Sequence, residues 1–225
     1  MKTKIRQQLK EIMSATGFRD WSSPLDVPHL DRPRSRPADL KGGGNLAAVF
    51  MMIHFNGIGT DVRDGHIVLT KRQSGLSKHA GQISFPGGRV DGDESLEQTA
   101  IRESVEEIGI EPTAVEVLGP LNPIYIPPSD FTMTPFFGWQ FQRPDFKINP
   151  AEVAKLIELP VTHLLDSKNL VFEEVQSFDR SGNPRKIPNV PVYRFEEHQI
   201  WGATAIVLTE WLSRIPKTQQ KETAN

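Results

Sequence analysis

Apolar residues in this chain recur with two distinct spacings, and the changes between them mark out its elements. Ile5, Leu9, Ile12 and Met13 fall on one face of a helical projection, so residues 3–15 are expected to form a helix. Pro24, Pro28, Pro33, Pro37 and the triplet Gly42-Gly43-Gly44 then interrupt residues 22–45, an expected irregular arm and not a separate domain. From Asn45 to Phe55 nearly every position is apolar, which suits a strand buried on both faces. Asp61-Val62-Arg63-Asp64-Gly65 reads as a hairpin turn leading into a second strand, His66 to Arg72. Residues 73–93 read as a long loop holding Gly75, Gly81 and Phe85-Pro86-Gly87-Gly88.

The strongest helical signal covers residues 94–108, between an acidic start (Asp91, Asp93, Glu94) and Gly109 at the C-terminal end. Val115–Pro120 and Phe131–Phe141 are expected strands joined by a Pro-rich loop, Asn122–Asp130. Glu152–Leu159 reads as a short helix or turn before Pro160, Tyr193–Phe195 as a short strand, and Thr204–Leu212 as a closing amphipathic helix. The expected class is α+β with a mixed sheet. The expected division is a helix and arm over 1–44, one domain over 45–215 and a disordered tail over 216–225.

Composition removes several functions. The chain has no cysteine, which excludes disulfides, zinc–thiolate sites and cysteine nucleophiles. The formal charge of -2 gives no global pull toward nucleic acid or an anionic membrane, so no partner of either kind is expected. The Arg32–Arg36 stretch is short and broken by proline. No apolar run approaches the ~20 residues that span a bilayer. The charged first residues are not a secretory signal, and a cytoplasmic location is expected. The amphipathic first helix offers a homodimer contact.

The chemistry concentrates on the 94–108 helix. Glu103, Glu106 and Glu107 stand at i, i+3 and i+4, which puts three carboxylates on one face. Like charges so placed repel, and a divalent cation reverses that. Hard oxygen ligands suit Mg²⁺ or Mn²⁺. Without further features this would read as a solvated acidic face. Ile101, Val105 and Ile108 supply a separate apolar stripe, Arg102 can reach back two turns to Glu94, and a Pro-Gly-Gly turn precedes the helix. Glycines there let backbone approach a phosphate or lend a carbonyl to a metal.

Gly88, five residues, Glu94, seven residues, Arg102-Glu103, two residues, Glu106-Glu107, one residue, Gly109 and Ile110 together resemble the Nudix box. Ser104 departs from the apolar residue expected after Arg-Glu; it changes a packing position and leaves the metal face untouched. The resemblance implies an α/β/α sandwich around a mixed sheet and hydrolysis of a nucleoside diphosphate derivative. It implies Glu103 and Glu107 as principal metal ligands, Glu106 as a further one, and a carbonyl of Gly87 or Gly88 completing the shell. Glu94 and Arg102 become a structural pair. The metal screens phosphate charge and activates water. A general base has no fixed place in the family; Glu106 and Glu152 are candidates, although an ordinary helix-start role is the stronger expectation for Glu152.

A second stretch names a substrate. Val68-Leu69-Thr70-Lys71-Arg72, Leu76, His79-Ala80-Gly81-Gln82 and Phe85-Pro86-Gly87-Gly88, with Ile200-Trp201-Gly202-Ala203-Thr204-Ala205, are similar to the coenzyme A pyrophosphatase branch. That resemblance implies cleavage of coenzyme A or an acyl derivative to 3',5'-ADP and a phosphopantetheine product. Gln73 and Ser77 depart from the branch pattern, where a small residue and a second arginine are usual. NDP-sugars and ADP-ribose are the alternative substrates, and a catalytically silent sensing module is a third reading. Lys71 and Arg72 alternate along a strand, so one faces the cleft; Arg72 is favoured as a phosphate contact. His79 is a candidate substrate contact, with bracing of its Gly-rich loop the stronger expectation. Trp139 and Trp201 are expected to pack in the core in preference to stacking on a base, and Phe85 and Pro86 to brace the turn.

Overall fold

A computed structural model describes residues 1–15, 45–73, 81–126, 129–178 and 183–216. The central strand, β1 (Asn45–His54), shows why the sheet is buried on both faces. Its even-numbered residues Ala48, Phe50 and Met52 join one core cluster, and Val49, Met51 and Ile53 join another. β1 pairs in parallel with β7 (Phe131–Gln140) over its full length and antiparallel with β2 (His66–Arg72). Outside β7 lies β5 (Glu116–Pro120), and outside β2 lie β3 (Ile83–Ser84) and β8 (Val153–Pro160). Two short strands, β4 (Gly87–Arg89) and β6 (Ile124–Ile126), extend β1 and β7.

One helix, α2 (Leu96–Ile108), covers the first face. The other face carries α1 (Lys2–Ser14) and α4 (Gly202–Ser213). The expected α/β/α sandwich with a mixed sheet is therefore the observed architecture. A short helix, α3 (Val161–Leu165), leads from β8 to a second, three-stranded sheet of β9 (Leu170–Phe178), β10 (Pro184–Phe195) and β11 (His198–Ile200). Among the described residues no helix is long and apolar enough to cross a membrane.

Several elements differ from expectation. Residues 153–160 form a strand, not a helix or turn. Ala154, Lys155, Leu156 and Glu158 favour a helix locally, but pairing with β2 along its length overrides that preference. The short strand at Tyr193–Phe195 is the end of the 12-residue β10, whose partner β9 was unanticipated. The loop over 73–93 holds β3 and β4, and the Pro-rich loop after β5 holds β6. Ile101 and Ile108 pack against the core as expected, but Val105 is 38% exposed, and Ala100 and Ser104 complete the buried side of α2. α4 is buried around most of its circumference and is not simply amphipathic. Ile5, Leu9 and Ile12 of α1 are buried in the chain's own core, so the stripe offered as a subunit contact is covered internally. Residues 16–44 and 217–225, and with them nearly all of the expected arm and tail, lie outside the described residues, as do Leu76, Ser77 and His79.

Candidate active site

The two ends of α2 fix the position of its glutamates. Ser95 caps the first turn in a reciprocal box with Gln98, and Gly109 closes the last turn at φ 67. The acidic residues before the helix lie in the preceding turn. Glu94 accepts hydrogen bonds from the Asp91 amide (2.8 Å) and the Thr99 hydroxyl (2.9 Å). Arg102 donates to both Glu94 oxygens, at 3.0 and 2.8 Å, and to the Arg89 carbonyl at 3.2 Å. This fork ties the loop, β4 and α2 together. The Arg102 hydrogen bonds hold the Glu94 carboxyl down at about 2.

The three glutamates occupy graded environments. The Glu107 side chain is 2% exposed and Glu103 15%, while Glu106 is 51% exposed. Burial pushes the Glu107 carboxyl up to about 7; Arg72 and the Gly87 N–H pull the other way, and Glu103 and Glu152 add to the rise. Burial also raises Glu103, with Arg102 opposing it and Glu106 and Glu152 reinforcing it. Glu107 Oε1 accepts from Arg72 Nη1 at 3.4 Å, and its Oε2 is buried without a partner. Arg102 Nη1 lies 3.0 Å from both Glu103 Oε1 and Glu106 Oε2.

Gly88 runs beside Glu103 so closely that any side chain there would overlap the carboxylate. Gly87, at φ 154, lies against the β1 backbone, where a Cβ would come within 2.5 Å of Val49 Cα. Ser104 is buried and donates to the Ala100 carbonyl at 2.7 Å, so its hydroxyl is satisfied within the helix, away from the glutamates.

These features fit a divalent cation. The donors are hard carboxylate oxygens, one buried oxygen has no partner, and a glycine backbone borders the carboxylate of a second donor. In the described geometry Arg72 and Arg102 share the three carboxylates. Among the described residues, the only trio of possible ligands with all donor atoms within 4.8 Å of one another is Glu196, Glu197 and His198, elsewhere in the fold.

Glu152 is brought to the site by a turn, not a helix. The Lys147 and Asn149 amides donate to the Ile108 and Glu107 carbonyls, which lays this segment on the C-terminal end of α2. Gln73 then pins the turn: its amide N–H donates to the Glu152 carbonyl and its side chain to the Pro150 carbonyl, each at 2.9 Å. In the sequence Gln73 stands out as a departure from the branch pattern, and neither bond is visible without the β2–β8 pairing. Gln73→Ala is expected to lower the melting temperature by about 2–4 °C, the effect of about one hydrogen bond in a chain this size. Thermal unfolding followed by circular dichroism checks this.

The remaining candidates divide. Arg72 faces the glutamates, whereas Lys71 lines a cavity on the other side of the sheet. Trp139 is core, 1% exposed, with its indole N–H donating to Glu116 at 3.2 Å. Trp201 is half-buried and lines the same cavity as Lys71. Phe85 is buried and Pro86 accepts from the Phe50 amide, so both brace the turn as expected.

Comparison with known proteins places this site in context. The NUDIX domain family model matches residues 54–178. The chain is 35% identical over 150 residues to the uncharacterized Nudix hydrolase NudL of Photorhabdus laumondii, covering 66% of this chain and 76% of that protein. It is 32% identical over 164 residues to Nudix hydrolase 3 of Caenorhabditis elegans, covering 68% of each chain. Among solved structures, a MutT NUDIX hydrolase from Burkholderia pseudomallei aligns with a TM-score of 0.44 at 20% identity, covering 74% of this chain and 96% of that one.

Proposed function

The chain belongs to the Nudix family, and from that premise we propose that it hydrolyses the pyrophosphate bond of coenzyme A or an acyl-coenzyme A. The products are 3',5'-ADP and (acyl-)4'-phosphopantetheine. The observation that carries the reaction is the glutamate face of α2, with its buried, partnerless Glu107 oxygen and the Gly88 backbone against Glu103. Glu103, Glu106 and Glu107, with a carbonyl of Gly87 or Gly88, would hold Mg²⁺ or Mn²⁺. When bound, the cation screens the diphosphate charge and favours deprotonation of the attacking water.

The chain's own groups do the rest. Arg72 is a forked donor at the edge of the glutamate cluster, positioned to take a phosphoryl oxygen once Glu107 is otherwise engaged. Glu106, the most exposed of the three, and Glu152 are the groups able to accept a proton from water. Glu94 and Arg102 keep the loop and helix in register, and the Arg102 fork also reaches the Glu103 and Glu106 carboxylates.

Support for the substrate comes from the resemblance of residues 68–88 and 200–205 to the coenzyme A branch. The test is a comparison of coenzyme A, ADP-ribose and NDP-sugars with Mg²⁺, with products separated by chromatography. Coenzyme A is expected to have the highest kcat/KM and to yield 3',5'-ADP. Cleavage of ADP-ribose or NDP-sugars with none of coenzyme A would reject the substrate and keep the chemistry.

A further inference from the structure

Asn149 joins two parts of the glutamate site that belong to different segments. Its backbone N–H donates to the Glu107 carbonyl at 2.9 Å, at the C-terminal end of α2. Its carbonyl accepts from the Glu152 and Val153 N–H groups, at 3.1 and 2.9 Å, which closes the turn over 149–153. Both ends of its side-chain amide are also used. Oδ1 accepts from the Ala151 N–H at 3.1 Å, and Nδ2 donates to Glu152 Oε1 at 3.1 Å. A backbone N–H can only donate, so Ala151 fixes which end of the amide faces Glu152. Pro150 follows directly and narrows the backbone choices of Asn149.

Of the candidate carboxylates Glu103, Glu106, Glu107 and Glu152, only the last stands outside α2. Glu152 is half-buried, and its charge reaches Glu103 and Glu107 and raises both carboxyls. Beyond the Asn149 amide, its carboxylate has no hydrogen bond and no cation among the described residues, so Oε2 is unengaged. Glu106, by contrast, takes an Arg102 N–H at 3.0 Å. A guanidinium lowers a carboxylate's affinity for a proton far more than one neutral amide does. Glu152 is thus held by one oxygen and left basic at the other.

We propose that Asn149 is the positioning residue for Glu152 in hydrolysis: it holds one carboxylate oxygen and aims the other at the attacking water. This rests on the reading of the chain as a diphosphate hydrolase, with Glu152 as the proton acceptor. The water oxygen bonds to phosphorus as one of its O–H bonds breaks, and the proton passes to Glu152 Oε2. The bond between phosphorus and the bridging oxygen breaks, and its electron pair leaves on the departing phosphate.

A double-mutant cycle tests it, with Mg²⁺ and whichever of coenzyme A, ADP-ribose and UDP-glucose the wild type cleaves fastest. Asn149→Asp keeps the acceptor for the Ala151 N–H and loses the donor to Glu152. It is expected to melt within about 5 °C of wild type and to lower kcat about tenfold at unchanged KM. Glu152→Gln is expected to lower kcat about 10²-fold. Adding Asn149→Asp to Glu152→Gln is expected to change kcat by less than about twofold, because the group it acts through is gone. Independently of turnover, the Asn149 side-chain NH₂ resonance in a proton–nitrogen correlation spectrum is expected to shift in Glu152→Gln. Equal loss in both backgrounds, wild-type kcat in Asn149→Asp, or an unmoved resonance overturns the proposal and leaves the hydrolase reading standing. Absence of wild-type turnover on all three substrates rejects that reading, and the proposal with it.

Discussion

Glu107→Gln is expected to reduce kcat on the order of 10²–10³-fold or more, the scale of losing one preorganised electrostatic partner of a reacting group. The substitution keeps the shape of the side chain and removes its charge. It takes from the site its most buried carboxylate, the one with a partnerless oxygen. The fold is expected to gain by the same change. In metal-free protein the Glu107 carboxyl is raised from 4.5 to about 7, so the native state favours the proton more than the unfolded state does. The native state is therefore unpenalised below about pH 4.5, loses stability as the pH rises from there toward 7, and carries the full penalty above 7. A shift of that size corresponds to roughly 2–4 kcal/mol. In chelator at pH 8, Glu107→Gln is expected to melt several degrees above wild type, with a flatter dependence on pH. Mg²⁺ is expected to raise the melting temperature of wild type and not of the variant. Melting curves across pH, with and without metal, check both statements.

The neighbouring glycines are expected to fail in opposite ways. At Gly87 an added methyl meets the backbone of β1, close to Val49 Cα, and the residue sits at φ 154. Backbone cannot rotate aside, so the β1–β4 ladder must separate. Gly87→Ala is expected to cost about 3 kcal/mol or more and lower the melting temperature by roughly 6–12 °C. At Gly88 the methyl meets only the end of the Glu103 side chain. Glu103 can swing away, which leaves the fold intact and displaces a carboxylate of the proposed cation site. Gly88→Ala is expected to melt within about 2 °C of wild type and to lose at least tenfold in metal affinity, the scale of a disturbed ligand shell. Paired melting and Mn²⁺ titrations of the two variants separate these outcomes.

Much of this was legible in the sequence because it is local. Glu94, Arg102, Glu103, Glu106 and Glu107 share one helix and its lead-in, so spacing alone puts them together. Gly109 takes the left-handed turn that its position at the helix end predicts. What was not legible depends on pairing between distant segments. Residues 153–160 look helical until β2 is placed beside them. Gln73 is a departure from a motif until its bonds to Pro150 and Glu152 are seen. Leu170–Phe178 carries no clean apolar–polar alternation, and Pro184 and Pro191 disguise its partner. Periodicity puts Val105 in the core, yet α2 buries Ala100 and Ser104 beside Ile108 and leaves Val105 38% exposed.

The central claim, that the α2 glutamates form the cation site, is tested most directly by Mn²⁺ binding measured by electron paramagnetic resonance. Wild-type protein is expected to bind Mn²⁺ and release it to excess Mg²⁺. The doubly substituted Glu103→Gln, Glu107→Gln protein is expected to lose that binding by at least about tenfold. Unchanged Mn²⁺ affinity in the double variant, or loss only when Glu196 and Glu197 are replaced, would contradict the account.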